Sequence, residues 1–560
     1  MNNSFENKMT TLAIAIFALV ITALCIYFNS THNILGHSYR DVFFYLIGAL
    51  RFSGVEIGGY KHINYLPPLI PFLTSILFRL GFVSESSIFI TTGLFYFVGI
   101  MGMFYILKLK FNNFYAFFGA FLYATLSINL TWVANGTLDI SFIALVIWAL
   151  YFFIQGVESN QKYFYLAFPL GILSFFTKYL GGLVFAIMIL YFLAKPDILG
   201  NIKKHFKNIA GGIIAGALTA LPFFTYYFIY NIPLGFLNQA GEVSSKTSTA
   251  ATHNGKLVGN DLFFYIKGLT SYISSERMIA SLVVLIIAGI GICIAIYLFQ
   301  DKLRDSFKKI KDDSINVFRW KFNAKLFYLL FFVSVLIILV SFFTASLFSF
   351  IYSEILVFAG MFLFSYSLNK IILKSDSVDN ISDSSFPFIA FNISMFAIFM
   401  AYLIFFSAHL VKADRYFTSM APGFVFILIF GFESLITNIK GFKVKKYNLK
   451  YAIVLIVILI MLYVPVVHFD AISDDSLVSC EKNAGSWISD KEGVVLAERG
   501  CAYTWYLQKE MPSTRESNSV LLDEELLENN ATWYIGLEDV NLTHYSKVKE
   551  FGKVSIYQRI

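Results

Sequence analysis

The sequence predicts a polytopic α-helical membrane protein of about thirteen transmembrane helices, followed by a small α/β domain. Three observations predict it. Of 560 residues, 57% are hydrophobic and 14% charged, and the mean hydropathy is +0.68. Soluble domains have about 45–50% apolar and about 25% charged residues. Apolar runs also recur at the roughly 20-residue length that the hydrocarbon core of a bilayer demands. After residue 468 the composition changes abruptly to mixed polar and apolar sequence. The expected division is therefore 1–468 for the membrane module and 469–560 for the α/β domain.

Candidate spans lie near 11–29, 86–107, 114–133, 139–155, 163–177, 180–194 and 209–229. Others lie near 278–299, 326–345, 350–372, 386–408, 417–436 and 451–468. The short runs 163–177 and 180–194, split by Lys178, fit either a pair of spans or one kinked helix. The first run, with no small-residue cleavage site after it, is expected to be an uncleaved signal-anchor. Basic residues crowd into 195–208, 300–325 and 437–450, which an odd number of spans places on one side with the N-terminus. By the positive-inside rule that side is the cytoplasm, so the protein is multi-pass in a plasma membrane with its C-terminal domain extracytoplasmic. Lysines clustered in loops between apolar runs account for the net charge of +7 without nucleic acid as a partner. Four cysteines are too few for a disulfide scaffold or a zinc cluster.

Three regions then fall outside: 30–85, 230–277 and the tail. The stretch 38–53 is expected to be an interfacial helix, with Arg40 and Arg51 on one face, three turns apart, and Asp41 beside them. Phe43, Leu46, Ile47 and Leu50 would supply its membrane-facing stripe. Lys61, His62 and the pair Pro67-Pro68 precede a second amphipathic helix. Asp139 opens the fourth span on the same side, Glu354 lies near another outer helix end, and Lys178, His409, Lys412 and Arg415 add positive charge. Boundary charges are costly and mark functional candidates. A cationic set beside acids suits a phosphate, and the planar fork of Arg415 suits it best.

The order of "RDVFFYL", "YLPPLIPFL", "NGTLDISFIALVIWALYFF", "FFTKYLGGLVFAIMILYFL" and "ADRYFTSMAPGFVFIL" over residues 40 to about 430 resembles the GT-C glycosyltransferases that use polyprenyl-phosphate sugars. It is most similar to the family of protein O-mannosyltransferases and lipid A aminoarabinose transferases. The resemblance implies a catalytic role for Asp41 in the first external loop and for Asp139 opening the fourth span. It also implies inversion at the anomeric carbon; the residues themselves suggest substrate contacts from Arg40, Lys61, His62, Lys178, Arg415 and Tyr416. One departure stands out. The aminoarabinose transferases carry an acid and a lysine directly before the proline pair, where this chain has Tyr65 and Leu66. A metal site built on that acid is therefore in doubt: no cofactor is certain, and a divalent metal stays open. The WWDYG signature of oligosaccharyltransferases is absent.

The chemistry these residues suit is displacement of a lipid phosphate from a sugar. The phosphate is already a good leaving group and needs charge stabilisation, from Lys178 and Arg415. The acceptor hydroxyl needs a base, Asp41, with Asp139 orienting it or sharing the role. Expected partners are a dolichyl- or undecaprenyl-phosphate sugar, a protein, lipid or glycan acceptor, and membrane lipids. The competing reading is a secondary transporter, which would place its charges near the midplane and show internal repeats.

Loop 230–277 is polar, fitting a lid or an inert spacer. In the tail, "GVVLAER" and "ATWYIGLED" suggest buried strands, "CAYTWYLQKE" a helix and "KVSIYQRI" a final edge strand. Sequons at Asn530 and Asn541 fit external exposure. Cys480 and Cys501, alone outside the spans, are expected to form a disulfide in an oxidising exterior.

Overall fold

A computed structural model of the chain describes residues 2–36, 39–55, 57, 66–229, 234–235, 261–275, 277–310, 314–317, 320–345, 350–379, 386–409, 412–439, 443–444, 447–448, 452–514, 516, 518–537 and 539–560. In chain order the first helices are α1 (Asn2–Thr31), α2 (Val42–Ser53), α3 (Leu69–Arg79), α4 (Glu85–Leu107) and α5 (Asn113–Thr125). They continue with α6 (Ser127–Trp132), α7 (Asp139–Glu158), α8 (Phe164–Thr177), α9 (Leu183–Leu193) and α10 (Ile198–Ile229). Two short helices, α11 (Phe264–Lys267) and α12 (Leu269–Ile273), lead into α13 (Met278–Ile310), α14 (Ala324–Phe343) and α15 (Phe350–Asp379). Next come α16 (Phe386–Ala408), α17 (Phe417–Asn438) and α18 (Ala452–Ala471). The C-terminal segment adds α19 (Ser476–Ile488), α20 (Gly500–Leu507) and α21 (Ser519–Glu528).

Among the described residues ten helices are long and apolar enough to cross a membrane. Each coincides with a run expected from the sequence. The other three runs are shorter helices: α5 with α6, α8 and α9. Fourteen residues of α8 extend about 21 Å at 1.5 Å per residue, short of a hydrocarbon core of about 30 Å. A 3₁₀ turn, Tyr179–Gly182, separates α8 from α9, so the single kinked helix is not what forms. The candidate crossing Ala452–Ile488 is interrupted at residues 472–475, and its apolar part is α18.

The first loop departs from expectation. The helix begins at Val42, with Asp41 at its N-cap, so Arg40 and Asp41 precede it. Its stripe does not face lipid either: Phe43, Leu46, Ile47 and Leu50 are all 0–1% exposed inside the protein core. The alternation that suggests an amphipathic surface helix cannot tell lipid from protein as the apolar neighbour. By contrast α3, capped by Pro68, leaves Phe72 and Ile76 at 40% and 45% exposure, as an interfacial helix should.

Two small hairpins lie between helices, β1 (Ser314–Val317) with β2 (Trp320–Asn323), and β3 (Lys443–Val444) with β4 (Tyr447–Asn448). The C-terminal sheet contains β5 (Val495–Ala497), β6 (Trp533–Gly536), β7 (Tyr545–Phe551) and β8 (Val554–Arg559), in the order β5-β6-β8-β7. Only β5 and β6 pair in parallel. The last strand is therefore internal and β7 forms the edge, which corrects the edge-strand expectation. Strand periodicity explains the burial. Val495, Ala497, Trp533, Ile535, Val554 and Ile556 pack one face against α19 and α20, while Leu496, Tyr534 and Tyr557 pack the other against α21. A final strand covered on both faces reads in sequence much like an edge strand with one bulky face.

The expected disulfide is not formed: Cys480 and Cys501 are both free thiols. They belong to different packing layers. Cys480 packs in the sheet's own core, close to Gly552. Cys501 is fully buried against the membrane module and accepts a hydrogen bond from Arg40 Nε at 3.4 Å.

Glu481 on α19 is 0% exposed, and Arg499 Nη1 stands 3.3 Å away in an ion pair without hydrogen-bond geometry. Burial pushes its carboxyl up to about 7, against the pull of Arg499 and Arg40. The folded protein therefore holds a proton on Glu481 between its ordinary value of 4.5 and about 7, where the unfolded chain has lost it. The stability this contributes is complete below 4.5 and is lost as pH rises through 7. Glu481→Gln should flatten that part of the profile. Thermal unfolding of both proteins from pH 4.5 to 8 measures it, and parallel curves would reject the assignment.

Candidate active site

Three turns of chain bring the charged candidates together at one end of the bundle. The first is the entry to α7. Ala134 (φ 50°) and Gly136 (φ 84°) turn the chain between α6 and α7, and Asn29 on α1 pins that turn by donating to the carbonyls of Val133 and Ala134 at 3.0 and 2.8 Å. Asp139, in the first turn of α7, is 2% exposed. The second is the end of α8. There Ser174 donates to the Phe142 carbonyl at 3.1 Å, tying α8 to α7, and Lys178 follows as the C-cap. Its Nζ lies 2.5 Å from Asp139 Oδ1. The amine sits among the rings of Phe142, Phe406 and Tyr416, at 5.5, 5.4 and 4.8 Å, so aromatic faces and a carboxylate fix its position.

The third turn is the 3₁₀ segment Asp414–Tyr416 ahead of α17. Arg415 stacks its guanidinium on Tyr39 at 4.0 Å and near Tyr416 at 5.2 Å. Its Nη2 reaches the Tyr416 hydroxyl only at 3.5 Å, and its Nε is buried without a hydrogen-bond partner among the described residues. A buried guanidinium with donors to spare is prepared for an anion. Asp414 accepts from the Tyr272 hydroxyl of α12 at 2.9 Å, and Tyr272 stacks on Phe417 at 4.3 Å. The end of the loop 230–277 thus braces the turn that carries Arg415.

Tyr39 and Tyr45 link these pieces to Asp41. Their hydroxyls are 2.7 Å apart. Burial pushes both phenols well above the usual tyrosine range; Asp41 and Asp139 add to this and Arg415 opposes it. Asp41, Asp139 and Arg415 therefore lie within electrostatic reach of one tyrosine pair. Asp41 itself is half-buried at the N-cap of α2.

The sequence-derived set divides accordingly. Asp139, Lys178, Arg415 and Tyr416 meet directly, and Asp41 is linked to them through the Tyr39–Tyr45 pair. Arg40 turns toward the C-terminal segment, its Nη2 donating to the Glu498 carbonyl at 2.9 Å. Lys61 and His62 lie outside the described residues. Lys412 caps the end of α16, donating to the carbonyls of Phe406, Ser407 and His409 at 2.9, 2.7 and 2.6 Å, and burial lowers its amine to about 8. Glu354 is 7% exposed on α15, and among the described residues no hydrogen bond joins it to this cluster. Tyr39, Tyr272 and Asp414 were missed. Tyr39 adjoins Arg40 and Asp414 adjoins Arg415, so an aromatic and an acidic neighbour of a boundary arginine were the signals available.

Among the described residues no group of three His, Cys, Asp or Glu side chains could hold a metal ion. Asp139 is itself paired with Lys178, and the described residues offer no ligand set that fits a metal.

Gly136 sets the spacing between the two acids. A Cβ there would lie 2.2 Å from Val42 Cγ2, the residue after Asp41. Gly136→Ala adds a left-handed strain of roughly 1–2 kcal/mol and forces the α7 entry away from α2. Displacements of about 1 Å cost on the order of 100-fold in rate. Gly54→Ala, with φ 96° but open space around it, is the control. It should show the strain in its melting temperature and keep its turnover; equal turnover loss in both would reject the spacing role.

Residues 66–226 match the family of dolichyl-phosphate-mannose-protein mannosyltransferases. A search of curated protein sequences finds no match. Among solved structures, apo ArnT from Cupriavidus metallidurans superposes with a TM-score of 0.60 at 11% identity, covering 99% of this chain and 98% of that one. The same protein bound to undecaprenyl phosphate gives 0.57 at 10% identity, over 98% of each chain. The oligosaccharyltransferase of Archaeoglobus fulgidus gives 0.50 at 12% identity, over 95% of this chain and 69% of that one.

This is the GT-C glycosyltransferase fold. The matched family region and the shared fold are what this chain has in common with these membrane glycosyltransferases, and neither supports a secondary transporter. Within the GT-C fold the matched region 66–226 contains Asp139 and Lys178, while Asp41 and Arg415 lie on either side of it.

Proposed function

We propose that this protein transfers a sugar from a polyprenyl phosphate to a hydroxyl acceptor, at the end of the bundle where Asp41, Asp139, Lys178 and Arg415 meet. One observation carries the reading: two cations lie by the Tyr416 ring, Lys178 at 4.8 Å and Arg415 at 5.2 Å. The Arg415 Nε has no hydrogen-bond partner among the described residues, and the half-buried Asp41 carboxylate acts on the Tyr39 ring that Arg415 stacks on. The leaving lipid phosphate needs the cations and the acceptor needs the carboxylate.

In the reaction Asp41 takes the acceptor O–H proton as the oxygen forms its bond to the anomeric carbon. The bond from that carbon to the phosphate oxygen breaks on the opposite face, and the electron pair leaves with the phosphate. Arg415 and Lys178 stabilise the charge that accumulates there. Asp139 holds Lys178 in place when no donor is bound; an arriving phosphate competes for the same amine. Attack opposite the leaving group inverts the configuration.

The same reading places the site on the outer face. Asp139 and Glu158 are the two ends of the 20-residue α7, about 30 Å apart, and Glu158 pairs with Lys195 from the basic loop 195–208. The basic loop and the site thus occupy opposite ends of one span, as the positive-inside rule requires. Acceptor candidates are proteins, lipids and glycans.

Purified protein in vesicles, given polyprenyl-phosphate sugars of different head sugars, should release polyprenyl phosphate and extend an acceptor. In cells, its removal should abolish one glycan modification while a lipid-linked sugar accumulates. Unchanged glycans, together with solute uptake by the vesicles, would favour a transporter instead.

A further inference from the structure

The residues that lead into Asp41 are bound by the C-terminal segment at three described positions. Asn33 gives its N–H to Asp474 Oδ1 at 2.8 Å and accepts at its carbonyl from the Asp475 N–H at 2.9 Å. Its side-chain oxygen accepts from Lys482 Nζ at 2.8 Å, and that amine also reaches Glu85 at 3.1 Å. The Gly36 carbonyl accepts from Arg499 Nη2 at 2.7 Å. Arg40, bonded covalently to Asp41, donates to the Glu498 carbonyl at 2.9 Å and to Cys501 Sγ at 3.4 Å. Rings close the seam, with Phe43 against Tyr506 at 5.7 Å and Phe78 stacked on Trp505 at 5.9 Å.

This pattern is selective. Among the described residues between α1 and α2 there is no regular backbone ladder, so their conformation depends on outside partners. Two of the bonds run through guanidinium groups, that of Arg499 and that of the loop's own Arg40, and such charge-assisted bonds are the stronger kind. Gly36 sits at φ 76°, and a Cβ there would lie 2.1 Å from the Phe43 ring; the loop is pressed against α2 as tightly as its backbone allows. Arg499 is 7% exposed and is itself held by Glu481, so the clamp is anchored in the sheet domain's buried layer.

We infer that the C-terminal domain is a working part of the catalytic centre, with Arg40 and Arg499 as positioning residues that aim Asp41 by fixing the backbone before it. The inference rests on Asp41 being the base. It moves Arg40 from the donor's contacts to the acceptor side of the reaction, through Asp41 alone. A general base displaced by about 1 Å loses on the order of 100-fold in rate, whereas donor binding by Lys178 and Arg415 is untouched.

The test is a double-mutant cycle on the full-length reconstituted protein. Arg40→Met should lower kcat about tenfold to a hundredfold, with the donor KM within twofold of wild type. Made in an Asp41→Asn background, the same change should cost almost nothing more, since there is no base left to aim. The double variant Glu481→Gln with Arg499→Met, which avoids a buried unpaired charge, should behave like Arg40→Met. It covers the case in which Arg40→Met fails to fold. A raised donor KM, or a full additional loss in the Asp41→Asn background, overturns the positioning role and leaves the base assignment intact. Near-normal turnover of Asp41→Asn alone overturns the base assignment, and with it this inference.

Discussion

Asp41→Asn lowers turnover at least a hundredfold while donor binding and the melting temperature stay near wild type. The factor follows from the role. General-base assistance contributes about 10²–10⁴, and an amide of the same shape cannot take a proton. Retention of the fold follows from the surroundings. Asp41 caps α2 through its backbone, its side chain making no capping bond, so Asn leaves the helix start intact. Asp139→Asn should differ. It removes the charge that holds Lys178 at 2.5 Å, on a residue only 2% exposed, and so should disturb donor affinity as well as rate. Transfer assays with purified variants check both. Near-normal turnover by Asp41→Asn would refute the base.

Arg415→Ala raises the donor KM and lowers kcat/KM by about tenfold to a hundredfold. Hydrogen bonds to charged groups contribute roughly 1.5–3 kcal/mol, and each 1.4 kcal/mol is tenfold. Arg415 is the candidate for so large an effect because its Nε is buried without a partner and its Nη2 bond to Tyr416 is long, at 3.5 Å. Arg415→Lys should recover only part of the loss, since an ammonium lacks the planar fork that stacks on Tyr39. Tyr416→Phe removes that long bond and keeps the ring beside Lys178, so its effect should be small. Titration of each variant with polyprenyl phosphate separates binding from chemistry. Unchanged affinity in Arg415→Ala would reject the phosphate role.

Much of this architecture was legible because lipid imposes simple rules. Ten long apolar helices stand where runs of about 20 residues predicted them, and Asp139 and Lys178, 39 positions apart, meet as charges on one side of a membrane should. The misreadings share a cause. Phe43 and Leu46 promised a lipid-facing stripe but pack on protein, because periodicity gives a buried face without naming its neighbour. Lys412, counted in sequence only as one of several boundary cations, caps α16, a role set by where the chain turns after residue 408. Cys480 and Cys501 lie on adjacent helices but in different packing layers, and sequence spacing carries no information about that. Arg40 adjoins the proposed catalytic acid, yet its guanidinium faces residues more than 450 positions away. Only the tertiary fold could reveal that partner.

The most direct test of the account is a structure of the protein with a polyprenyl phosphate bound. The phosphate should lie with its oxygens about 3 Å from the Arg415 guanidinium and from Lys178 Nζ, drawing Lys178 away from Asp139, with Asp41 facing the sugar position from the opposite side. A phosphate lodged elsewhere, with the Lys178–Asp139 pair intact and Arg415 still stacked without an anion, would contradict it.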